Sequence, residues 1–218
     1  NEIGAAQSKS TEHTAEALVK LLNYVASHPN PVIRYYASGM ILHSHSDCAY
    51  LIAANARSRA SGFLFLGNDS LDTPINGPIL VHAHLMRNVV ASAGEGETGA
   101  AFYNGQEIMP LRQTLIELGH PQPATPLRTD NAFTAGFSAG TIKQRRSKAI
   151  DMRFYWLKDR QAQGQLNIYW RLAPPTWRTT HPSTTRRPIT SACTLLTCVS
   201  LTTPGPNFCH HSHNVRVC

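Results

Sequence analysis

The sequence lacks the long apolar runs of membrane proteins. None of its apolar stretches reaches the roughly 18–20 residues that a membrane-spanning helix needs, so we expect no membrane partner. The N-terminus also has no basic region followed by an apolar core, which predicts that the protein has no signal peptide and is not secreted. Because the chain does not begin with Met, we expect it to be a fragment of a longer protein.

Cysteine and acidic residues are scarce in opposite parts of the chain. Residues 1–171 contain one cysteine, Cys48, whereas four cysteines fall within residues 193–218. All 13 acidic residues precede Leu172, where the composition of the chain changes. We predict three regions: a helical arm over residues 1–38, a folded domain over 39–171, and a poorly ordered Thr/Pro/Cys-rich tail over 172–218.

The rest of the composition is that of a globular protein with a basic surface. Hydrophobic residues make up 42% of the chain and charged residues 15%, which excludes a wholly disordered protein. The net charge of +7 permits a polyanionic partner such as nucleic acid, although net charge alone does not establish one.

Hydrophobic periodicity predicts both helices and strands. Helices are predicted over residues 11–28, 95–103, 107–118 and 141–163. Strands are predicted over residues 40–50, 63–67, 78–84, 126–131 and 165–171, with shorter extended stretches over 32–37 and 88–92. The small polar segment 53–62 is predicted to be a turn. Strands that come first and then alternate with helices favour an α/β domain with a mixed sheet.

Acidic residues stand at the ends of several predicted elements. Asp47 and Asp130 lie near the ends of strands, and Glu95 and Glu97 lie at the start of a helix. Functional groups of open α/β sheets gather at the carboxyl ends of strands. Acids that converge there would repel one another unless a divalent cation neutralised them, and their oxygens favour Mg²⁺ or Mn²⁺. The spacing is equally compatible with acids that only cap helices and turns, and for Asp47 by itself a local turn is favoured.

Five segments of the chain, taken together, resemble a known family. They are His45-Ser46-Asp47-Cys48-Ala49-Tyr50, Ala56-Arg57-Ser58-Arg59-Ala60-Ser61-Gly62, Ser92-Ala93-Gly94-Glu95-Gly96-Glu97, Thr129-Asp130-Asn131 and Arg146-Ser147-Lys148-Ala149-Ile150-Asp151-Met152-Arg153. In this order they resemble the ribonuclease H domain at the C-terminal end of copia-type retrotransposon polyproteins. The resemblance covers approximately residues 11–171.

The resemblance implies a fold, an activity and partners. The fold would be α/β, a ribonuclease H-like five-stranded mixed sheet flanked by helices. The activity would be Mg²⁺-dependent (or Mn²⁺-dependent) endonucleolytic cleavage of the RNA strand of RNA–DNA hybrids during reverse transcription. A reverse transcriptase domain of the same polyprotein would be a second partner. We would then expect an intracellular protein, either cytoplasmic in a retrotransposon particle or nuclear.

The resemblance also assigns site residues. Asp47 matches the first metal-binding and catalytic carboxylate of the family, Glu97 the helix carboxylate and Asp130 the third. Glu97 is preferred over Glu95 because the family places its metal ligand second in Glu-x-Glu. Residues two apart on a helix do not share a face, so we expect only one of them to reach the metal.

The chain departs from the family pattern in three places. Gly94 and Gly96 replace small helix-favouring residues, and each Gly costs about 1 kcal/mol in a helix interior. Ala149 stands where the family commonly has His. The family also continues beyond its last strand into a segment with a fourth catalytic Asp, whereas this chain has no acid after residue 171. Our hypothesis is that the reading frame shifts near Leu172. The test is whether the alternative frame of the encoding DNA contains the family's Asp-containing ending.

Six basic residues are candidates for binding the phosphates of a hybrid. They are Arg57, Arg59, Lys143, Arg145, Arg146 and Lys148. The alternative is a solvated charged face that binds nothing. We favour binding, which would be weakened by salt and would depend on the shape and 2′-hydroxyls of the hybrid.

Cysteine and histidine provide weaker candidates for a metal site. The candidate zinc ligands in the tail are Cys193, Cys198, Cys209, His210, His211, His213 and Cys218, and their spacing follows no standard finger. His43, His45, His82 and His84 alternate at strand spacing and are interpreted as strand residues without a metal. Cys48 is interpreted as a small buried residue.

Three hypotheses of function remain open at this point. The first is the hybrid-cleaving enzyme. The second is a catalytically impaired retroelement remnant that folds or binds nucleic acid without the fourth acid. The third is a non-catalytic interaction module that uses the apolar face of the helix over residues 11–28, and it requires that face to be exposed.

Overall fold

The fold is built around one mixed β-sheet. The computed structural model describes residues 2–141, 151–172 and 214–215. The sheet contains five strands in the order β4-β3-β2-β5-β6. Its strands are β2 (Ile41–Ala53), β3 (Arg57–Gly67), β4 (Pro78–Leu85), β5 (Thr125–Thr129) and β6 (Leu166–Trp170). Strands β2, β3 and β4 are antiparallel neighbours, whereas β5 runs parallel to β2, and β6 runs parallel to β5. The predicted mixed sheet of five strands is confirmed.

The described part of the chain contains five α-helices, and the last three pack on the sheet. They are α1 (Glu2–Ala5), α2 (Glu12–Ser27), α3 (Ala93–Glu117), α4 (Ala132–Ser138) and α5 (Asp151–Ala162). Helix α3 packs on β2, β3 and β5, and α5 packs beside it against β6. The core between these helices and the sheet contains buried apolar residues: Leu42, Leu64, Ala101, Ile108, Leu115, Leu127, Leu157, Leu166 and Ile168. Each large apolar side chain buried there stabilises the fold by about 1.5–3 kcal/mol, so this layer fixes α3 on the sheet.

Four predicted elements differ from the structure. Most of the segment predicted to be a turn, residues 53–62, belongs to β3. The two helices predicted over 95–103 and 107–118 form one continuous helix, α3. Residues 88–92, predicted to be extended, form no strand. Helix α4 was not predicted, because its Gly, Thr and Ser residues are weak helix formers and its start depends on the Asn131 side chain, which accepts from the backbone N–H of Phe133 and Thr134.

Helix α2 of the N-terminal arm is largely exposed to solvent. Helix α2 begins at a capping box formed by Thr11 and Thr14, and none of its residues is buried. Leu22 is 56% exposed, and Leu18 and Val25 on the same face are exposed as well. This exposed face is what the interaction-module hypothesis requires. The three-region division of the chain stays a prediction.

Part of the predicted tail is described. A two-residue strand, β7 (Asn214–Val215), pairs antiparallel with β1 (Ile33–Arg34). Residues 173–213 and 216–218 lie outside the described residues, and with them lie the candidate zinc ligands. Among the helices of the described ranges, none combines the length and apolar character needed to cross a membrane.

The connection between β2 and β3 contains residues in the left-handed region of backbone space. Ala56 has φ +54° and Asn55 has φ +59°, and Leu51, near the end of β2, has φ +54°. A side chain on a left-handed residue is strained by about 1–2 kcal/mol, and Asn tolerates this better than Ala or Leu. This tight connection turns the chain back within four residues of the two candidate arginines, Arg57 and Arg59.

We expect the substitution Ala56→Gly to stabilise the protein by up to about 1 kcal/mol. Glycine removes the left-handed strain at residue 56, and this gain exceeds the added entropy of the unfolded chain. The measurement is the urea midpoint of unfolding. The matched control is Ala53→Gly at an extended residue with φ −105°, which should lose about 0.5–1 kcal/mol. A loss of stability in both variants would contradict the assignment of strain to residue 56.

Candidate metal centre

Asp47 lies on β2, the central strand of the sheet. Its Cα partner on β3 is Ser61, whose hydroxyl donates a hydrogen bond to the Asp47 carbonyl oxygen at 3.1 Å. The side chain of Asp47 is half-buried. Pairing with β3 therefore fixes the backbone that carries this carboxylate.

Asp130 follows the end of β5 and lies beside Asp47. In the parallel pairing of β2 and β5, His45 is the Cα partner of Arg128. Asp47 and Asp130 each lie two residues beyond that pair, so both acids project at the same edge of the sheet. The Asp130 carbonyl accepts a hydrogen bond from Trp170 Nε1 at 3.0 Å, which ties the exposed end of β5 to β6.

Glu97 is brought to this edge by the first turns of α3. The helix is capped by Ser92, whose Oγ accepts from the Glu95 N–H at 3.2 Å. The Glu95 carboxylate accepts from the Ala91 N–H at 2.6 Å and therefore closes the helix start. Glu97, in contrast, is 7% exposed and accepts from the Cys48 N–H through Oε1 at 3.1 Å.

A glycine allows this close approach of α3 to β2. A Cβ atom at residue 96 would lie 2.7 Å from Cys48 Sγ, closer than side chains tolerate. In the sequence, Gly96 departs from the family pattern and is expected to weaken a helix. In the structure it is the residue that lets Glu97 reach the Cys48 amide.

The three carboxylates form one cluster. One oxygen from each of Asp47, Glu97 and Asp130 lies within 4.8 Å of the other two. The structure thus brings together the three acids predicted from the sequence, and it contains Glu97 rather than Glu95. Their catalytic and metal-binding roles stay predictions.

The three carboxylates repel one another, and a bound cation would relieve this repulsion. Burial, and then the neighbouring Asp47 and Asp130, raise the pKa of Glu97 to about 9, and the Cys48 N–H only partly offsets this. Glu97 Oε2 is buried and has no hydrogen-bond partner among the described residues. A buried polar oxygen without a partner is costly, and oxygen donors of this kind match a hard divalent cation. Asp47, Glu97 and Asp130 could therefore hold one.

The predicted basic residues are only partly described. Arg57 and Arg59 are half-buried on β3, and Arg59 is the Cα partner of Ala49, two residues beyond Asp47. Lys143, Arg145, Arg146 and Lys148 lie outside the described residues. Asp159, an acid on α5, bonds to Arg160 and Gln163 and does not join the cluster.

Histidine and cysteine do not add a second metal centre in the described part of the chain. The only group there with the geometry of a metal site is the three-acid cluster. His43, His45 and His82 are buried in the sheet and His84 is exposed. Burial lowers the pKa of His45 to about 3. Cys48 is half-buried, and burial together with the three acids raises the pKa of its thiol to about 12, so it stays a neutral thiol.

Two contributors to the site were not foreseen. One is the backbone N–H of Cys48, which no side-chain pattern reveals. The other is Asn104, a fully buried amide seven residues after Glu97 on the same face of α3. A polar residue among the small and apolar residues of that face was the available signal.

Both the sequence and the structure have partial similarity to known proteins. No protein-family model matches the chain. The chain is 26% identical over 144 residues to the retrovirus-related Pol polyprotein from transposon TNT 1-94 of Nicotiana tabacum. That match covers 66% of this chain but only 10% of the length of the polyprotein.

Two solved structures of ribonuclease H proteins have partial similarity to the chain. LC11-RNase H1, isolated from compost, has a TM-score of 0.45 and 8% identity, and the match covers 62% of this chain and 85% of that chain. The N-terminal RNase H domain of a Mycobacterium tuberculosis protein has a TM-score of 0.41 and 10% identity. That match covers 62% of this chain and 83% of the other chain. The sheet is thus mixed and five-stranded, and the chain is similar in sequence to part of a retroelement Pol polyprotein.

Proposed function

We propose that the protein is a divalent-metal-dependent endoribonuclease that cleaves the RNA strand of RNA–DNA hybrids. The observation that carries the proposal is the cluster of Asp47, Glu97 and Asp130, with its buried and unpartnered Glu97 oxygen. Such a cluster is unfavourable as three bare carboxylates and favourable around Mg²⁺ or Mn²⁺. The similarity to a retroelement Pol polyprotein supports a hybrid as the substrate, because reverse transcription produces hybrids.

Each acid has a distinct part in this proposal. Asp47 supplies a half-exposed oxygen and Asp130 an exposed oxygen, which would meet a cation and the phosphate together. Glu97 would hold the cation through its buried oxygen, and the Cys48 N–H orients its carboxylate. A divalent cation bound there supplies Lewis-acid chemistry: it activates water and neutralises charge on the phosphodiester.

The test is cleavage of a hybrid with labelled RNA. The protein is incubated with the hybrid in Mg²⁺, in Mn²⁺ and in EDTA, beside single-stranded RNA and duplex DNA of the same sequence. We expect cleavage of the hybrid RNA in either metal and none in EDTA. Equal cleavage in EDTA would contradict a metal enzyme, and equal cleavage of single-stranded RNA would contradict the proposed substrate.

The alternative is a catalytically impaired remnant that binds hybrids without cleaving them. A specific observation favours it: the cluster contains three acids among the described residues, and the sequence has no acid after residue 171. Retained binding of the hybrid without cleavage in both metals is the result that this alternative predicts.

We expect Arg57→Ala and Arg59→Ala to weaken hybrid binding and its dependence on salt. Each phosphate contact contributes a slope of about 0.9 to the log–log plot of affinity against salt on B-form DNA, which guides the size expected on a hybrid. Loss of one contact should therefore reduce the slope by roughly 1. The measurement is fluorescence anisotropy in EDTA over a range of salt concentrations.

Lys20→Ala is the control for this series. Lys20 is an exposed cation on α2, away from the sheet, so its loss removes the same charge from the chain. A drop in slope with Lys20→Ala equal to that with Arg59→Ala would mean that net charge alone explains the effect.

A further inference from the structure

A buried hydrogen-bond network joins α3 to three strands of the sheet. Its centre is Asn104, which is 0% exposed. Asn104 Nδ2 donates to the carbonyl oxygens of Ser61 and Ala100, each at 2.9 Å. Asn104 Oδ1 accepts from Ser44 Oγ and from His82 Nε2, each at 3.2 Å. Both donors and both acceptor positions of the amide are therefore used.

The network is packed without spare volume. Residue 62 of β3 lies against it, and a Cβ atom there would overlap Asn104 Oδ1 and His82 Nε2. Only glycine at this position leaves room for the amide between α3 and β3. The helix can neither rotate nor slide on the sheet without breaking several of the hydrogen bonds at once.

The network also reaches the acidic cluster from two directions. Along α3, Glu97 lies seven residues before Asn104, which is two helical turns or about 10 Å along the axis on the same face. Across the sheet, Asn104 bonds the carbonyl of Ser61, and the Ser61 hydroxyl bonds the carbonyl of Asp47. Asn104 thus connects the helix that carries Glu97 to the strand pair that carries Asp47.

We propose that Asn104 is a positioning residue that sets the place of Glu97 relative to Asp47. As a contribution to catalysis this rests on the proposed function, but the placement of α3 does not. Residues that orient the ligands of a metal site change metal affinity by about 10–100-fold when they are replaced.

The test compares Asn104→Leu with Ile108→Ala. Leucine keeps the number and branching of the side-chain heavy atoms and removes all four hydrogen bonds. Ile108 is fully buried one turn later on α3 and belongs to the apolar core, so Ile108→Ala weakens the packing of the same helix without touching the network. Urea unfolding first gives the stability of each variant. The measurements are then made under conditions in which each variant is fully folded.

Two measurements are made on each variant. The first is Mn²⁺ affinity by titration. The second needs no metal: amide hydrogen exchange of Cys48, whose N–H is held by Glu97, relative to the slowest amides of the core. In Asn104→Leu we expect Mn²⁺ affinity to fall about 10–100-fold and Cys48 exchange to accelerate on the order of tenfold. In Ile108→Ala we expect neither change beyond the global loss of stability.

Equal behaviour of the two variants would overturn the proposal. A wild-type protein that binds no Mn²⁺ overturns the proposed function, and the Cys48 amide then decides the positioning role alone: faster exchange in Asn104→Leu supports it, and unchanged exchange overturns it. If Asn104→Leu does not fold, Ser44→Ala replaces it, because it removes one hydrogen bond from Asn104. The same two changes are then expected at about threefold, and their absence overturns the proposal.

Discussion

Replacement of Asp47 by Asn should lower the rate of hybrid cleavage by roughly 10³-fold, which corresponds to about 4 kcal/mol of transition-state stabilisation. Asparagine keeps the shape of the side chain and the backbone contacts with β3, so the fold should be retained. What is lost is one negative charge from the three that would hold the cation. The measurement is single-turnover cleavage of labelled hybrid RNA at saturating Mg²⁺, with circular dichroism to check the fold.

Asp159→Asn is the matched control for Asp47→Asn. Asp159 is an exposed acid on α5 that bonds Arg160 and Gln163 and lies outside the cluster. Its replacement should leave the cleavage rate within about twofold, since a surface ion pair contributes little. More than a tenth of wild-type activity in Asp47→Asn would remove Asp47 from the proposed site.

Replacement of Glu97 by Gln should abolish metal-dependent cleavage and at the same time stabilise the metal-free protein. The pKa of Glu97 is about 9 in the folded protein against an ordinary value of 4.5. Below pH 4.5 the carboxyl is protonated in both folded and unfolded chains and has no effect on stability through titration. Between these two pKa values the folded state binds more protons, so the free energy of unfolding falls as pH rises.

The size of this effect follows from the same linkage. Each pH unit within the window removes up to about 1.4 kcal/mol of stability. At pH 8 in EDTA we therefore expect Glu97→Gln to be more stable than the wild type by about 2–4 kcal/mol, with a flatter dependence on pH. The amide can still accept from the Cys48 N–H and can donate to the neighbouring acids. Chemical unfolding at several pH values measures the difference.

Added Mg²⁺ should reverse the order of the two proteins. A cation that binds only the folded wild type stabilises it by mass action, whereas the variant gains little. Glu95→Gln is the control: its amide oxygen can still accept from the Ala91 N–H, and loss of its charge at a helix start should cost less than about 1 kcal/mol at every pH. A pH profile of Glu97→Gln parallel to that of the wild type would contradict the raised pKa.

The two aspartates of the cluster could be predicted from the sequence, because their local pattern agrees with the neighbours that they have in the folded sheet. Asp130 follows β5, whereas Asp47, predicted to lie near the end of its strand, lies in the middle of β2, which continues to Ala53. The parallel alignment of the two strands places both acids side by side. Glu97 was chosen over Glu95 through family resemblance, whereas its physical reason is visible only in the structure. Glu95 is engaged with the Ala91 N–H at the helix start, and Glu97 faces the sheet.

Where the prediction was wrong, contacts between distant residues decide the structure. Residues 57–62 contain small and polar side chains that are typical of a turn, yet they continue β3 because β2 and β4 pair with them on both sides. Helix α3 continues through Gly105, which a local pattern interprets as a break. A Cβ atom there would lie 2.8 Å from Trp156, so glycine serves the packing of α5 on α3. No window of sequence contains either partner.

The pairing of β2 with β5 also has a consequence for the order of folding. The β2–β3 pairing joins Asp47 to Ser61, 14 residues apart, whereas the β2–β5 pairing joins Ser44 to Leu127 and must close a loop of about 80 residues. The longer closure costs about 1.5 kcal/mol more in chain entropy, so we expect the hairpins to form first and the parallel pair later. The three acids would then meet only when β5 pairs with β2, after the antiparallel strands are in place.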